Sequence, residues 1–387
     1  MTRSAPTNDS PTAVRSAAVA FLSFAVPISM LGIIWPEVRE RFDQSLGALG
    51  LAGLLYGLGR LSTALTGPRL ARVFGPGRAF VLVLVLLSLS CVALALAPTW
   101  PAFLAALVCI GWMSGSLDSL GAGFITSIRD VGSAGLVHGA YGVGATLGPL
   151  VVVAVSSWRL AVGVAAALAL GAAALAVWSR DAWPEIPTHV DSGRGRAPLG
   201  PIVLSLGAFC AFVAMEVTAG QWAFTHLTKT RGAGDTLAAI AVSLYWGGIT
   251  VGRLALARPS VRDLVDRLRL ARLAALALVF VLALAVLPPV LTAPALAMTG
   301  LALAPIVPSL FASTATRVGE AFAQKLAVWQ LVATNLGAIS VPFLTGALVD
   351  VIGPSVIVTV AAVTAATGAL LLAAIDRRAA PTRPLTG

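Results

Sequence analysis

The constraint that decides what this chain can fold into recurs along its length: runs of about twenty apolar residues separated by short polar stretches, from residue 15 to residue 375. In hydrocarbon the backbone polar groups must find partners inside the chain, so each run forms a helix. About twenty residues at a rise of ~1.5 Å cross the ~30 Å core of a bilayer. Twelve runs meet that length and predict spans at 15–35, 45–66, 79–97, 102–126, 137–157 and 160–178, then 199–228, 236–257, 270–287, 294–313, 326–349 and 355–375. The longest polar interruption, 179–198, carries Pro184, Pro187, Gly193 and Gly195. The expected architecture is an all-α integral membrane protein of twelve transmembrane helices. One six-helix bundle covers 1–178, a cytoplasmic linker 179–198, and a second bundle 199–387.

Composition agrees, since 58% hydrophobic and 11% charged residues are too apolar a mixture for a soluble domain of this size. The net charge of +10 does not point to nucleic acid, because the basic residues are scattered singly through short loops and form no clustered patch. Lys and Arg favour cytoplasmic loops, and placing both termini inside puts about 19 of them on that side against about 5 outside. A multi-pass protein of the inner (cytoplasmic) membrane is expected, monomeric, with an uncleaved first span. On this topology Glu37, Arg39, Glu40, Arg41 and Asp43 form a solvated external loop. Cys91, Cys109 and Cys210 lie in apolar runs without ligand spacing, so neither a disulfide nor a metal is expected. There is no phosphate-binding G-x-x-x-x-G-K-[ST] loop and no loop cluster of acids and histidines, so no enzyme activity and no cofactor are expected.

Four side chains with full charge potential lie inside the spans: Arg60, Asp118, Glu216 and Arg253. A charge at the centre of a bilayer costs at least ~2.5 kcal/mol, so such residues face a cavity or a partner and mark pathways for protons or solute. Counted from the outer ends of their spans, Arg60, Asp118 and Arg253 share a depth, which makes Arg60 and Asp118 a natural pair. Snorkelling to the inner face is the alternative for each arginine. Gly111, Ser114, Gly115, Gly121 and Ala122 flank Asp118, as either a cavity or a close-packed helix contact requires. Glu216 is expected to lie near the midplane with no cation at its depth, and an unpaired carboxylate in low dielectric favours its protonated form. Proton coupling, hydrogen bonding to a solute and a structural bond to a neighbouring helix all remain open for it. Gln221, Trp222 and Trp246 offer amide and aromatic surfaces to a solute, with Gly220 able to permit a local break that would bring Gln221 beside Glu216. On the eleventh span Gln330, Thr334 and Gly337 share a face, as binding groups or as interhelical glue. His138 opens the fifth span, as an interfacial side chain or a proton relay.

The halves echo each other. Gly59-Arg60-Leu61 is followed by Arg69 as Gly252-Arg253-Leu254 is by Arg262, and Ala145-Thr146-Leu147-Gly148 has its counterpart in Ala333-Thr334-Asn335-Leu336-Gly337. With the loop from Gly67 to Arg78, these features resemble the major facilitator superfamily. In that loop Arg72 stands where the family's pattern has Asp. Trp35-Pro36, Gly115 to Asp118, His138 to Pro149 and Glu216 to Trp222 are similar to the fucose-permease-like group of sugar and proton symporters, although Gly32 stands where fucose permease has an acid. The resemblance implies a secondary transporter that moves a small sugar-like or other polar solute by alternating access, with protons as the coupling ion. Glu216 and Asp118 would then couple protons, and Gln221, Trp222, Trp246, Gln330 and Tyr141 would contact solute. It also implies an inner gate in which Arg60 meets Gln330, and Arg253 meets Tyr141 and His138. Drug or metabolite efflux by proton antiport, and a non-transporting sensor of the same fold, are the competing readings.

Overall fold

A computed structural model of the chain describes residues 11–128, 131–183 and 199–379. These residues are almost entirely helical and divide into two compact units, 11–44 with the described part of 52–183, and 45–51 with 199–379. Of the expected linker, 184–198 lies outside the described residues.

The first unit contains α1 (Pro11–Ser29), α2 (Leu31–Arg41), α3 (Ala48–Phe74, its first turn grouped with the second unit), α4 (Pro76–Ala95), α5 (Trp100–Ile128), α6 (Val131–Val155) and α7 (Trp158–Ser179). In it α1 packs on α6 and α7, and α4 on α5 and α7. Small residues permit the close approaches. An alanine stripe on α7 (Ala161, Ala165, Ala169, Ala172, Ala176) is buried, whereas Leu160, Leu170 and Trp178 on the same helix are 61%, 55% and 87% exposed. A helix that hides alanine and displays leucine and tryptophan is built for lipid outside and close helix packing inside.

The second unit contains α8 (Leu199–Lys229), α9 (Asp235–Ala255), α10 (Pro259–Leu268), α11 (Leu270–Ala283), α12 (Pro289–Leu303), α13 (Ile306–Ala312), α14 (Thr314–Val318), α15 (Glu320–Ile352) and α16 (Val356–Ala379). Here α8 packs on α9, α15 and α16, and α12 packs on α9 and α11.

Ten helical segments of the described residues are long and apolar enough to cross a membrane. The other two expected spans are occupied by α3, of 27 residues, and by α11, which has only 14. Four boundaries differ from expectation. The first span breaks at Met30 between α1 and α2, each of which contains a proline, Pro27 and Pro36. The second continues as helix to Phe74, and Gly75, at φ 77°, makes the turn before Pro76 opens α4. The stretch before the ninth span, expected to be loop, forms α10 and turns at Arg269. The tenth breaks at Pro305, which lacks the N–H a continuous helix would use, and resumes as α13 and α14.

Candidate functional site

In the first unit Arg60 on α3 donates through Nη2 to Asp118 Oδ2 on α5, the pairing expected from their shared depth. The side chains are 28% and 35% exposed, so the pair is neither sealed nor fully solvated. Its helices meet at glycines: a Cβ on Gly111 would strike the Tyr56 carbonyl, and one on Gly115 would come within 2.7 Å of the Arg60 carbonyl oxygen. The small residues beside Asp118 therefore serve close packing of α3 on α5 at these two positions, and not a cavity. On α6, Tyr141 and His138 rest against Phe24 and Phe21 of α1, with ring centroids 5.3 and 5.7 Å apart.

The second unit corrects the expectation that Glu216 stands alone. Arg253 Nη2 on α9 donates to Glu216 Oε2 on α8 at 2.7 Å, with the carboxylate side chain 13% exposed and the guanidinium side chain 34%. Tyr245, which the sequence reading did not single out, donates its hydroxyl to the Glu216 backbone carbonyl at 2.9 Å. The indole of Trp246 lies against Gly220, one turn along α8 from Glu216, where a Cβ would collide with its ring. Among the described residues two buried donors on this face have no protein acceptor: Trp246 Nε1 and Arg253 Nε. The face thus holds a carboxylate bonded by one arm of an arginine, beside two buried N–H groups that no protein oxygen among the described residues accepts.

Three other expected solute contacts are placed differently. Helix α8 is unbroken through Gly220, and Gln221 Nε2 donates to the Leu49 carbonyl at 3.0 Å instead of turning toward Glu216. Trp222 is fully buried with its indole N–H on the Pro342 carbonyl at 3.1 Å, so it packs α8 against α15 and offers no open aromatic surface. Gln330 is fully buried too. Its amide donates to Ser205 Oγ at 2.9 Å and Thr314 Oγ1 at 3.0 Å, joining α15 to α8 and α14. Its amide is therefore taken up inside the second unit, as Arg60 is held by Asp118 inside the first, and Arg253 by Glu216.

Arg317 extends the Gln330 knot, donating to the Leu310 carbonyl and, at 3.1 Å, to that of Ser313, the residue that follows α13. Burial lowers the Arg317 pKa, yet arginine starts high enough to keep its charge. Asp350, also not anticipated, accepts from Ser45 Oγ at 2.6 Å and from the Gly47 N–H at 2.7 Å, contacts inside the second unit, to which residues 45–51 belong. Among the described residues no group of three His, Cys, Asp or Glu side chains is placed to hold a metal ion.

Ten helices of the described residues, long and apolar enough to cross a membrane, in two units that each hold an arginine–carboxylate pair inside the spans, define a multi-pass membrane protein. The family model of the Major Facilitator Superfamily matches residues 17–327, and the chain belongs to that superfamily. Similar solved structures include a variant of the nucleoside transporter NupG (14% identity, 95% of this chain and 99% of that one, TM-score 0.73). A variant of the peptide transporter POT (14%, 94% and 94%, 0.75) and a D-xylose–proton symporter (15%, 93% and 96%, 0.68) are also similar. At these identities the likeness is one of fold. No curated protein matches the chain.

Proposed function

We propose that the protein is a proton-coupled secondary transporter of a small polar solute, acting by alternating access as a monomer in the inner membrane with both termini cytoplasmic. The observation that carries this reading is the Glu216–Arg253 pair with its two spare donors. With Glu216 ionised, Arg253 is engaged and the charges offset each other in low dielectric. A proton on Glu216 removes that hold and frees the guanidinium, which together with Trp246 Nε1 can take an oxygen of the solute. Proton and solute then favour the same state of the site, as symport requires. Asp118 with Arg60 is the corresponding titratable pair of the first unit, and Tyr141 lines the solute route there. The fucose-permease-like features favour a sugar-like solute. His138 is assigned to the inner gate.

The test is uptake into proteoliposomes of a panel of monosaccharides and nucleosides with the outside acidified. Accumulation that collapses on adding a protonophore supports the proposal. Uptake that equilibrates and takes no notice of the pH gradient overturns coupling, and uptake driven only by an inverted gradient replaces symport with efflux by antiport.

A further inference from the structure

Between the eighth and ninth spans the chain forms a short surface helix whose composition fits neither water nor a protein core. Helix α10 is attached through one buried residue, Val265, and packs against α11. Leu264 and Leu268, four residues apart and therefore on one face, remain 53% and 38% exposed. From Arg258 to Arg272 there are five arginines, Arg258, Arg262, Arg267, Arg269 and Arg272, against two acids, Asp263 and Asp266. All seven side chains are exposed, and among the described residues none of the seven forms an ion pair. The positive φ of Arg269, 60°, interrupts the helix at the point where α11 begins. Helix α11 is itself short: its 14 residues rise ~21 Å, less than the ~30 Å of hydrocarbon a span must cross.

We propose that α10 is an interfacial helix that binds anionic lipid headgroups, with Leu264 and Leu268 in the acyl boundary and the arginines on lipid phosphates. Three features of the segment point to this occupant. Its excess of three positive charges is complementary to an anionic surface and repels a basic one. Its two exposed leucines sit where a bilayer begins, beside the first turn of a membrane helix. A span too short for the hydrocarbon core is relieved when flanking residues anchor at the interface. Lipid bound here would fix where α11 starts.

The experiment places a fluorophore on Leu264→Cys in the full chain with Cys91, Cys109 and Cys210 replaced by alanine. The protein is reconstituted with brominated phosphatidylglycerol or brominated phosphatidylcholine, and quenching gives their relative association constants. Preference for the anionic lipid is expected, and it should fall about five-fold for each arginine removed in Arg258→Gln, Arg262→Gln and Arg267→Gln. The same three positions changed to lysine should keep it. A label-free arm follows thermal unfolding of the native chain in nanodiscs of phosphatidylcholine with and without phosphatidylglycerol, where the anionic lipid should raise the Tm of the parent and not of the triple glutamine variant. Equal quenching by the two lipids, or an equal Tm gain in parent and glutamine variant, overturns the proposal.

Discussion

Arg253 reaches Glu216 at 2.7 Å across 37 residues of sequence, and the contact joins two antiparallel helices through their charged side chains. Glu216 lies 13 residues before α8 ends at Lys229, and Arg253 lies 18 residues after α9 begins at Asp235, so they differ in level by five residues. That is about 7 Å along the helix axis, a distance an extended arginine covers.

Glu216→Gln keeps an acceptor for Arg253 while removing the titration. Accumulation against a gradient should be abolished and solute exchange at equilibrium retained, with a stability loss of about 1 kcal/mol. Glu216→Ala should cost more, because it leaves the guanidinium without a counter-charge. Flux assays in the two directions check this, and full gradient-driven accumulation by the glutamine variant would remove Glu216 from the coupling step.

Arg60 and Asp118 should couple in a double-mutant cycle by about 1 kcal/mol, the modest value that a pair 28% and 35% exposed supports. Exchanging the two charges should recover part of what either single reversal loses. Strict additivity in thermal unfolding would show that the contact contributes nothing.

These two pairs mark how far the sequence carried. Arg60–Asp118 was legible because both spans run in the same direction, so residue count measured depth directly. Glu216–Arg253 was not, because α8 and α9 run oppositely and α8, at 31 residues, extends beyond a bilayer's thickness. Depth there has to be counted from the turn the helices share. The glycines near Asp118 fitted both a cavity and close packing, and only the position of the Tyr56 carbonyl decides between them. Trp222 looked like a solute group because an aromatic face suits a sugar-like ligand, and Gln330 because it lies on a polar stripe that could bind solute or join helices. Their partners, Ser205, Thr314 and the Pro342 carbonyl, lie far away in sequence or in the backbone, where no pattern announces them.

Gly111→Ala should therefore destabilise the protein by about 1–3 kcal/mol, because the new methyl meets the Tyr56 carbonyl across a contact that cannot open without moving a helix. Gly171→Ala on α7 is the control. Nothing lies within 4 Å of its added Cβ, so it should be neutral or stabilise by up to ~1 kcal/mol. Equal Tm values for the two variants would contradict the packing account.

Replacing Gln330 by leucine strands the Ser205 hydroxyl and takes one partner from Thr314, which keeps the Leu310 carbonyl, and a loss of about 1–3 kcal/mol is expected. The half-saturation constant for solute should stay within a factor of about two, since the amide is already committed to these partners. A large rise in that constant at unchanged Tm would return Gln330 to the binding site.

Trp246→Phe separates the ring from its N–H. Nε1 is buried with no protein acceptor among the described residues, so deleting it removes a donor that the fold leaves unpaired. The phenyl ring still covers Gly220, though with less area than the indole. Stability should consequently hold level or rise slightly, which is unusual for trimming a tryptophan in a helix contact. If the donor waits for an oxygen of the solute, the half-saturation constant should rise about five-fold, the value of one neutral hydrogen bond. The rise should persist at every pH, because the indole does not titrate. Thermal unfolding and uptake at several pH values measure both quantities on one preparation. A fall in Tm with an unchanged half-saturation constant would make Trp246 a packing residue, and would leave Arg253 as the only donor on this face available to the solute.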